Sequence, residues 1–177
     1  MMRVLQILLA ALLIMPLSAK SAGYEGWRFG MTPQQVQLQE IPGPYYALSN
    51  GDLGTKSFPF RGQPALTSFY FQDSRLARVM IIIYSGQDVD SIKNALEEAA
   101  AQITADTGGL ELPETPDDQS ASLEQVATAW AAHQASLSEG QRFQVGAFPM
   151  PADRKIWASI TLLSGGAYMV SLNYAEP

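Results

Sequence analysis

Residues 27–36 constrain the fold of this chain more than any other stretch, because they specify where a helix begins. Thr32 is a preferred N-cap residue, since its hydroxyl can accept a hydrogen bond from a backbone N–H of the first helical turn. Pro33 follows at the first helical position, where its missing N–H removes no hydrogen bond. Gln35 completes a capping box with Thr32. The stretch predicts a short helix that starts after Thr32 and is stopped by the Pro- and Gly-containing residues 42–44.

The same stretch carries a family resemblance. It reads Trp-Arg-Phe-Gly-Met-Thr-Pro-Gln-Gln-Val, with an aromatic-Gly-Met-Thr-Pro start to the helix, and β-hairpins are expected after it. Over residues 27–84 it resembles small bacterial envelope domains, namely the SmpA-type outer-membrane-assembly lipoproteins and domains with the β-lactamase-inhibitor-protein-like fold. The resemblance implies a helical pair packed on an antiparallel sheet and a function in protein binding. The lipoproteins carry a cysteine just after the signal segment, whereas this chain contains none, so we expect no lipid anchor of that kind.

The first 22 residues have the pattern of a secretory signal peptide. Arg3 provides a positive start, residues 5–17 form an apolar run, and small residues follow at positions 18, 19, 21 and 22. The run is shorter than the roughly 20 apolar residues that a membrane-spanning helix needs, although an uncleaved anchor is the alternative. Cleavage after residue 19, 21 or 22 fits the pattern. We expect a bacterial protein that is periplasmic or secreted, with no stable membrane insertion after cleavage and with residues 23–177 as its folded part.

The charge of the mature chain argues against several kinds of partner. The whole chain has 11 basic and 17 acidic residues; without Arg3 and Lys20 of the signal segment the formal charge is 9 − 17 = −8. Nucleic-acid binding needs a clustered basic face, and helices that lie on membrane surfaces are rich in Lys and Arg. We therefore expect neither partner. The chain has no cysteine, which excludes disulfides and thiolate chemistry.

The clearest β element lies within residues 65–84. Two apolar stretches, 66–72 and 76–84, flank a polar turn at residues 73–75 and predict a hairpin. The second stretch is apolar on both faces, since Val79, Ile81 and Ile83 alternate with Met80, Ile82 and Tyr84. This pattern predicts a central strand that is covered on both sides. The alternative is that a partner or a second copy covers one of the faces.

The segment 42–64 contains the candidates for a binding surface. Asn50-Gly51 predicts a tight turn between short strands near 45–48 and 56–60. The candidate binding residues are Tyr45, Tyr46, Phe60 and Arg61. Aromatic residues and Arg are enriched in the hot spots of protein interfaces. The alternative is that these rings simply cover one face of a sheet.

A capped helix and an acidic linker follow the hairpin. Asp88 or Asp90 is the predicted N-cap of a helix that reaches Thr107, along which apolar residues recur at steps of three and four. Residues 109–121 are rich in acidic residues and Pro, and we interpret them as a solvated linker between two halves. The carboxylates of this linker lack the spacing of an EF-hand loop, so we expect no metal site there.

The last part of the chain again predicts a helix followed by strands. Ser122 begins a second capping box, and one side of the helix that follows is predicted to carry Leu123, Val126, Trp130 and Leu137. Strands are predicted near 142–148, 155–163 and 167–174, with a two-residue hairpin turn within residues 164–167. The predicted class is α+β, with an antiparallel sheet packed by two to three helices in a single domain over residues 23–177. Two loosely related helix-plus-strands halves are a further interpretation of this order.

The sequence contains no pattern typical of catalysis or cofactor binding. It has no Gly-rich phosphate loop, no His/Cys/Asp metal spacing and no Ser nucleophile elbow. His133 is the only histidine; it lacks a matched nucleophile, and a surface or partly buried helix position is the better interpretation. We therefore predict no catalytic residue, no metal and no cofactor.

These observations favour a binding function. We expect an exported adaptor or inhibitor-like module without catalytic activity that binds another protein of the cell envelope. The alternative is a small-molecule or lipid-binding periplasmic protein that holds its ligand between sheet and helices. An enzyme is the least favoured of the three classes.

Overall fold

The structure, a computed structural model, describes residues 23–39, 43–116 and 118–177. Its helices are α1 (Pro33–Gln37), α2 (Val89–Thr107) and α3 (Leu123–Gln134), with one 3-10 turn at Ser164–Gly166. Its strands are β1 (Gly23–Tyr24), β2 (Trp27–Arg28), β3 (Tyr45–Ala47), β4 (Leu53–Phe60), β5 (Gln63–Gln72), β6 (Arg75–Gly86), β7 (Leu110–Glu111), β8 (Arg142–Ala147), β9 (Lys155–Leu162) and β10 (Tyr168–Ala175).

An antiparallel sheet of eight strands organises the fold, in the order β3-β4-β5-β6-β10-β9-β8-β7. The last strands of the two halves, β6 and β10, pair antiparallel at the centre. The strand order is therefore mirrored about this pair. β1 and β2 form a separate two-stranded ribbon. Antiparallel sheets combined with three helices in the described residues confirm the predicted α+β class.

The helix start predicted at Thr32 is confirmed. Thr32 Oγ1 accepts a hydrogen bond from the backbone N–H of Gln35 at 3.3 Å, and Gln35 Oε1 accepts from the N–H of Thr32 at 2.9 Å. α1 ends at Gln37 with Leu38 as its C-cap, so it stops before the segment that was predicted to break it. Residue 42 of that predicted segment lies outside the described residues.

The helices α2 and α3 lie on one face of the sheet. α2 contacts β6, β8, β9 and β10, and α3 contacts β8 and α2. Asp88 caps α2, since its Oδ1 accepts from the N–H of Ser91 at 2.8 Å. Gly108 ends the helix with a left-handed φ of 95°, a conformation that favours glycine. Ala99 and Ala100 are fully buried, and their small side chains let α2 approach the sheet closely.

The core lies between these helices and the sheet. Trp27 and Phe29 belong to it, as the sequence predicts. On the three central strands the fully or almost fully buried apolar residues are Leu76, Val79, Ile81, Ile156, Ala158, Ile160, Val170, Leu172 and Tyr174. Most recur at every second position and so point to the same face of the sheet. Burial of each large side chain of this kind contributes about 1.5–3 kcal/mol, which makes the helix-covered face the main source of stability.

Within the described residues, a helix covers only one of the two faces of residues 76–84. β6 is central, as predicted, with β5 on one side and β10 on the other. Val79 and Ile81 are fully buried on the face that carries α2. The opposite face of the strand, which carries Ile82, is not covered by a helix of the described residues. The apolar alternation identified a central strand but could not say whether this chain covers both faces.

The predicted linker is only partly a linker. Leu110 and Glu111 form β7 on β8, and Leu110, Leu112 and Ala121 are buried. The N–H of Ala121 donates to the carbonyl of Leu110 at 2.7 Å, so the segment folds back on itself. Glu111 and Glu114 are exposed, as expected for solvated carboxylates. The alternating leucines supply enough apolar surface to attach this end of the segment to the sheet.

Two smaller predictions also differ from the structure. Leu123, predicted to lie in the apolar stripe of its helix, is 43% exposed, and Val89 is 49% exposed at the start of α2. Both residues occupy the first position of their helix. The turn between β9 and β10 is longer than the predicted two-residue type, because the N–H of Leu163 donates to the carbonyl of Ala167 at 2.7 Å and the 3-10 turn lies between them.

Candidate functional site

The face of the sheet opposite α2 is the first candidate surface. Strand register places one set of side chains there, and we call this surface the open face: Tyr46, Leu66, Ser68, Tyr70, Met80, Ile82, Trp157, Ser159, Ser171 and Asn173. These residues alternate with the core residues along each strand, so they point away from α2. No helix of the described part of the chain lies on them. The sheet thus presents a mixed polar and apolar face.

The centre of the open face consists of short polar side chains that bond to one another. The Oγ atoms of Ser159 and Ser171 lie 3.0 Å apart. Asn173 Nδ2 donates to Ser171 Oγ at 3.2 Å and to the carbonyl of Trp157 at 3.5 Å. All three polar residues are buried although no helix of the described residues covers them. The centre is therefore a shallow, hydrogen-bonded floor that needs no further partner.

Aromatic and cationic side chains lie on the β5–β6 side of this floor. The Arg78 guanidinium lies 3.9 Å from the centroid of the Tyr70 ring, a cation–π geometry. The Tyr70 hydroxyl is 3.7 Å from Met80 Sδ. Stacking of this kind holds long side chains in a fixed orientation, so the ring of Tyr70 is presented in one position.

Tyr46 lies on the edge strand β3, at the margin of the open face beyond β5 and β6. A Cβ atom built on Gly54 would lie 2.5 Å from the Tyr46 ring, so the ring lies directly over the backbone of β4. The Nζ atom of Lys56 lies 6.0 Å from the centroid of the same ring. The close approach requires glycine at position 54 and holds Tyr46 flat on the sheet.

The four candidate binding residues do not share one surface. Tyr45 lies on the core side, with its ring 5.8 Å from that of Phe69, whereas Tyr46 lies on the open face. Phe60 is 5% exposed and belongs to the core. Arg61 lies in the turn after β4, and its Nη1 donates to the carbonyl of Glu98 in α2 at 3.3 Å. Adjacent strand residues point to opposite faces, which is why a patch drawn from sequence neighbours separates in three dimensions.

A second candidate lies at the β8 edge of the sheet. A cavity of about 610 Å³ is bounded by α3, by the segment 112–120 and by β8. Ala129, Ala132 and Phe143 supply apolar surface to it. We call this cavity the edge pocket. Its volume lies within the range of sites that take small ligands or short peptide segments.

The charged residues of the edge pocket are separated along its length. Glu124 stands at the start of α3 and Glu114 in the segment opposite. His133 stands at the other end of α3 and, with Arg142, also lines a smaller adjoining cavity. No ion pair or side-chain hydrogen bond involves the Arg142 guanidinium within the described residues. The pocket thus has an acidic end and a basic end.

Three ionisable residues, one each on β1, β10 and α2, contact one another. Tyr24 stacks on Tyr174 with ring centroids 4.1 Å apart, and the Tyr174 hydroxyl donates to Asp106 Oδ2 at 2.8 Å. Burial raises the pKa of both tyrosines well above the usual value for a phenol. Both hydroxyls therefore stay protonated at neutral pH. This cluster attaches the first described residues to α2 and β10, and we assign it a structural role.

Neither a metal-binding cluster nor a membrane-spanning helix occurs in the described residues. These residues contain no group of three or more His, Cys, Asp or Glu side chains placed to hold a metal ion. None of the described helices has the length and apolar character needed to cross a bilayer. The ring of His133 lies 5.6 Å from that of Phe143 at the wall of the edge pocket, where no described residue hydrogen-bonds to its imidazole.

No protein-family model, curated protein or solved structure matches this chain. Function is therefore inferred from the open face and the edge pocket. Sequence reasoning missed the edge pocket, and it offered the open face only as the alternative that a partner covers one face of residues 76–84. The alternation of Ser171 and Asn173 with apolar residues was a signal for a polar face on β10, but only the pairing of β10 with β6 and β9 assembles that face.

Proposed function

We propose that this protein is an exported, non-catalytic module that binds another protein of the cell envelope through the open face. The observation that carries the proposal is a central strand with apolar side chains on a face that no described helix covers. Apolar side chains on a sheet face without a covering helix are one feature of interaction sites in soluble proteins. The signal-like residues 1–22 favour export, with a periplasmic or secreted location.

The composition of the open face favours a protein as the partner. Tyr, Trp, Met and Arg are enriched at protein interfaces, and Tyr70, Arg78, Met80 and Trp157 supply these types. A polar floor with satisfied hydrogen bonds can be buried by a partner without loss of bonds. Arg78 and Lys155 lie in one row of this face, so we expect the partner to present acidic residues there.

The proposal predicts that Tyr70→Ser and Trp157→Ser weaken partner capture. Capture is measured with tagged protein that is expressed in its native envelope and carries a photo-crosslinking side chain in place of Leu66, on the same face. Mass spectrometry then identifies the captured proteins. Loss of an aromatic hot-spot residue costs about 2 kcal/mol or more. Each variant should therefore reduce capture of a specific partner by about tenfold or more.

Leu38→Ser is the matched control for these variants. Leu38 is an exposed apolar residue, 80% accessible, and lies just after α1, away from the open face. It should leave capture and thermal stability unchanged. Undiminished capture by both open-face variants, with their folding intact, would contradict the proposal.

A second candidate function is the binding of a small molecule or lipid. The edge pocket is the observation that favours it, because its size suits such a ligand. This site lies at the sheet edge and not between the sheet and α2. Native mass spectrometry of protein purified without denaturant would show a retained ligand as added mass, and a clean apo mass would count against this function.

We also propose that the two halves are loosely related units of one sheet. The mirrored strand order about β6 and β10 supports this proposal. The helices that begin the two halves differ in length, since α1 has 5 residues and α3 has 12. A common origin would predict that structures of related chains show the same order with more similar helices.

A further inference from the structure

The outer edge of β8 is only partly paired. β7 is a two-residue strand, with Leu110 opposite Ala147 and Glu111 opposite Gly146. The N–H of Phe148 donates to the carbonyl of Gly109 at 3.0 Å, which extends the pairing by one step. The rest of β8, from Arg142 to Val145, has no strand on its outer side within the described residues.

The hydrogen-bond pattern of an antiparallel ladder shows which backbone groups of β8 lack a strand partner in the described residues. Residues of β8 point their N–H and C=O groups to β9 and to the outer edge in turn. The bond from Phe148 to Gly109 shows that position 148 points outward, and positions 146, 144 and 142 point the same way. Gly146 meets β7. The backbone groups of Gln144 and Arg142 meet no strand of the described chain.

The edge pocket lies directly beside these backbone groups. After Glu111 the chain leaves the line of β7 at Pro113, whose ring nitrogen cannot donate to a ladder, and it returns at Ala121. α3 forms the opposite wall, and Phe143 and Gln144 of β8 line the pocket. The pocket is therefore an extended groove in line with β7, and one of its sides is a strand edge.

The dimensions and charges of the groove suit a short extended chain. α3 has 12 residues, so the wall between Glu124 and His133 is about 15 Å long. At about 3.4 Å per residue an extended segment of about five residues covers this length. A segment that continues the direction of β7 has its C-terminal end at Arg142 and its N-terminal end at Glu124. An acidic C-terminal end and a basic N-terminal end would therefore match the charges of the wall.

We propose that the edge pocket binds an extended peptide of a partner protein, which adds to the sheet antiparallel to β8 in line with β7. The Gln144 backbone donates to and accepts from the peptide, and Arg142 pairs with a carboxylate at the C-terminal end of the bound segment. Strand addition of this kind obtains affinity from main-chain hydrogen bonds. The site is separate from the open face, so this proposal and the proposed function can fail independently.

The test uses synthetic pentapeptides and the full mature protein. The probe is acetyl-Lys-Val-Ser-Val-Glu with a free carboxylate, in a set that varies the three middle residues. The control is the charge-reversed acetyl-Glu-Val-Ser-Val-Lys amide. Amide NMR titration should show binding of the probe with shifts at residues 142–146, and hydrogen exchange of the Gln144 amide should slow at saturation. The charge-reversed peptide should bind about tenfold more weakly.

Substitution at Gln144 separates the backbone from the side chain. Gln144→Pro removes the outward N–H while leaving the ladder to β9 unchanged, and proline is tolerated on edge strands. It should weaken probe binding about tenfold, whereas Gln144→Ala should bind as the parent does. Arg142→Gln should weaken binding severalfold, and Arg28→Gln, an exposed arginine on β2, should not.

Three results would overturn the proposal. One is the absence of binding by every peptide of the set at millimolar concentration. Another is peptide binding with unchanged exchange at the Gln144 amide, which is measured in the parent protein and so does not depend on the folding of Gln144→Pro. The third is a small molecule or lipid that the parent retains in native mass spectra and that Arg142→Gln or Ala129→Trp releases. Such a ligand would show that the edge pocket holds a small molecule or lipid and not a peptide.

Discussion

At the residue scale, the neighbours Tyr45 and Tyr46 show how one position in sequence separates two roles. The Tyr45 ring packs on Phe69, and its hydroxyl is buried without a hydrogen-bond partner in the described residues. Burial also raises the pKa of Tyr45. Tyr46 lies on the open face over Gly54. The first ring contributes to stability, and the second is available to a partner.

This difference predicts opposite outcomes for two adjacent substitutions. Tyr45→Ala should lower the free energy of unfolding by about 1–3 kcal/mol, because it removes half-buried apolar surface. Tyr46→Ala should leave that free energy nearly unchanged but reduce partner capture. Urea denaturation and crosslinking of both variants would measure this.

Tyr45→Phe is the control for the first substitution. It removes only the unpartnered hydroxyl, so we expect no loss of stability. Equal losses of stability in the Tyr45→Ala and Tyr46→Ala variants would show that the two rings are not on opposite faces.

At the scale of elements, short side-chain caps determine where the helices begin. Thr32, Asp88 and Ser122 each accept from a backbone N–H three residues later. For Asp88 the hydrogen bonds from Ser91 lower the pKa of the carboxyl below its ordinary value of 3.8. The charged carboxylate also lies at the positive end of the α2 dipole, where a negative charge is favourable.

The lowered pKa predicts a loss of stability in acid. A carboxyl whose pKa is lower in the folded state stabilises the fold above its unfolded-state pKa and stops doing so as the pH falls through the folded-state pKa. The parent should therefore lose stability relative to Asp88→Asn as the pH falls below about 4. Asn still caps the helix but does not titrate. Thermal unfolding of both proteins between neutral pH and pH 2 would measure the difference, and parallel curves would rule out this role for Asp88.

At the scale of the whole molecule, the pairing of β6 with β10 joins the two halves through one core. Leu172 lies opposite Ile81 of the first half and Ala158 of the second, and all three side chains are fully buried. α2 packs on strands from both halves. We therefore expect cooperative unfolding of the sheet as one unit.

Leu172→Ala tests this cooperativity. Its cavity should lower the free energy of unfolding by about 2–5 kcal/mol. Fluorine NMR of 5-fluorotryptophan at Trp27 and Trp130, assigned by Trp→Phe variants, would follow the two halves separately in urea. Both signals should change at the same, lowered urea concentration. A native Trp27 signal that persists after the Trp130 signal is lost would show that the halves unfold independently.

The sequence by itself determined the elements whose causes are local. The capping residues predicted the starts of all three helices, and the apolar alternation predicted the hairpin of β5 and β6 and the strands β8 to β10. These patterns succeed because each rests on hydrogen bonds or side-chain directions within a few residues. The signal segment, the location and the partner stay predictions, and residues 1–22 lie outside the described residues.

Only the tertiary structure decided which surfaces are available. The alternation on β6 could not show that α2 covers one face and leaves the other open, because that depends on strands distant in sequence. Phe60 was a surface candidate until the packing of the sheet placed it in the core. The edge pocket requires β7 to stop after two residues beside a longer β8, which is a property of strand pairing. Local patterns specify elements, whereas burial and exposure follow from which elements meet.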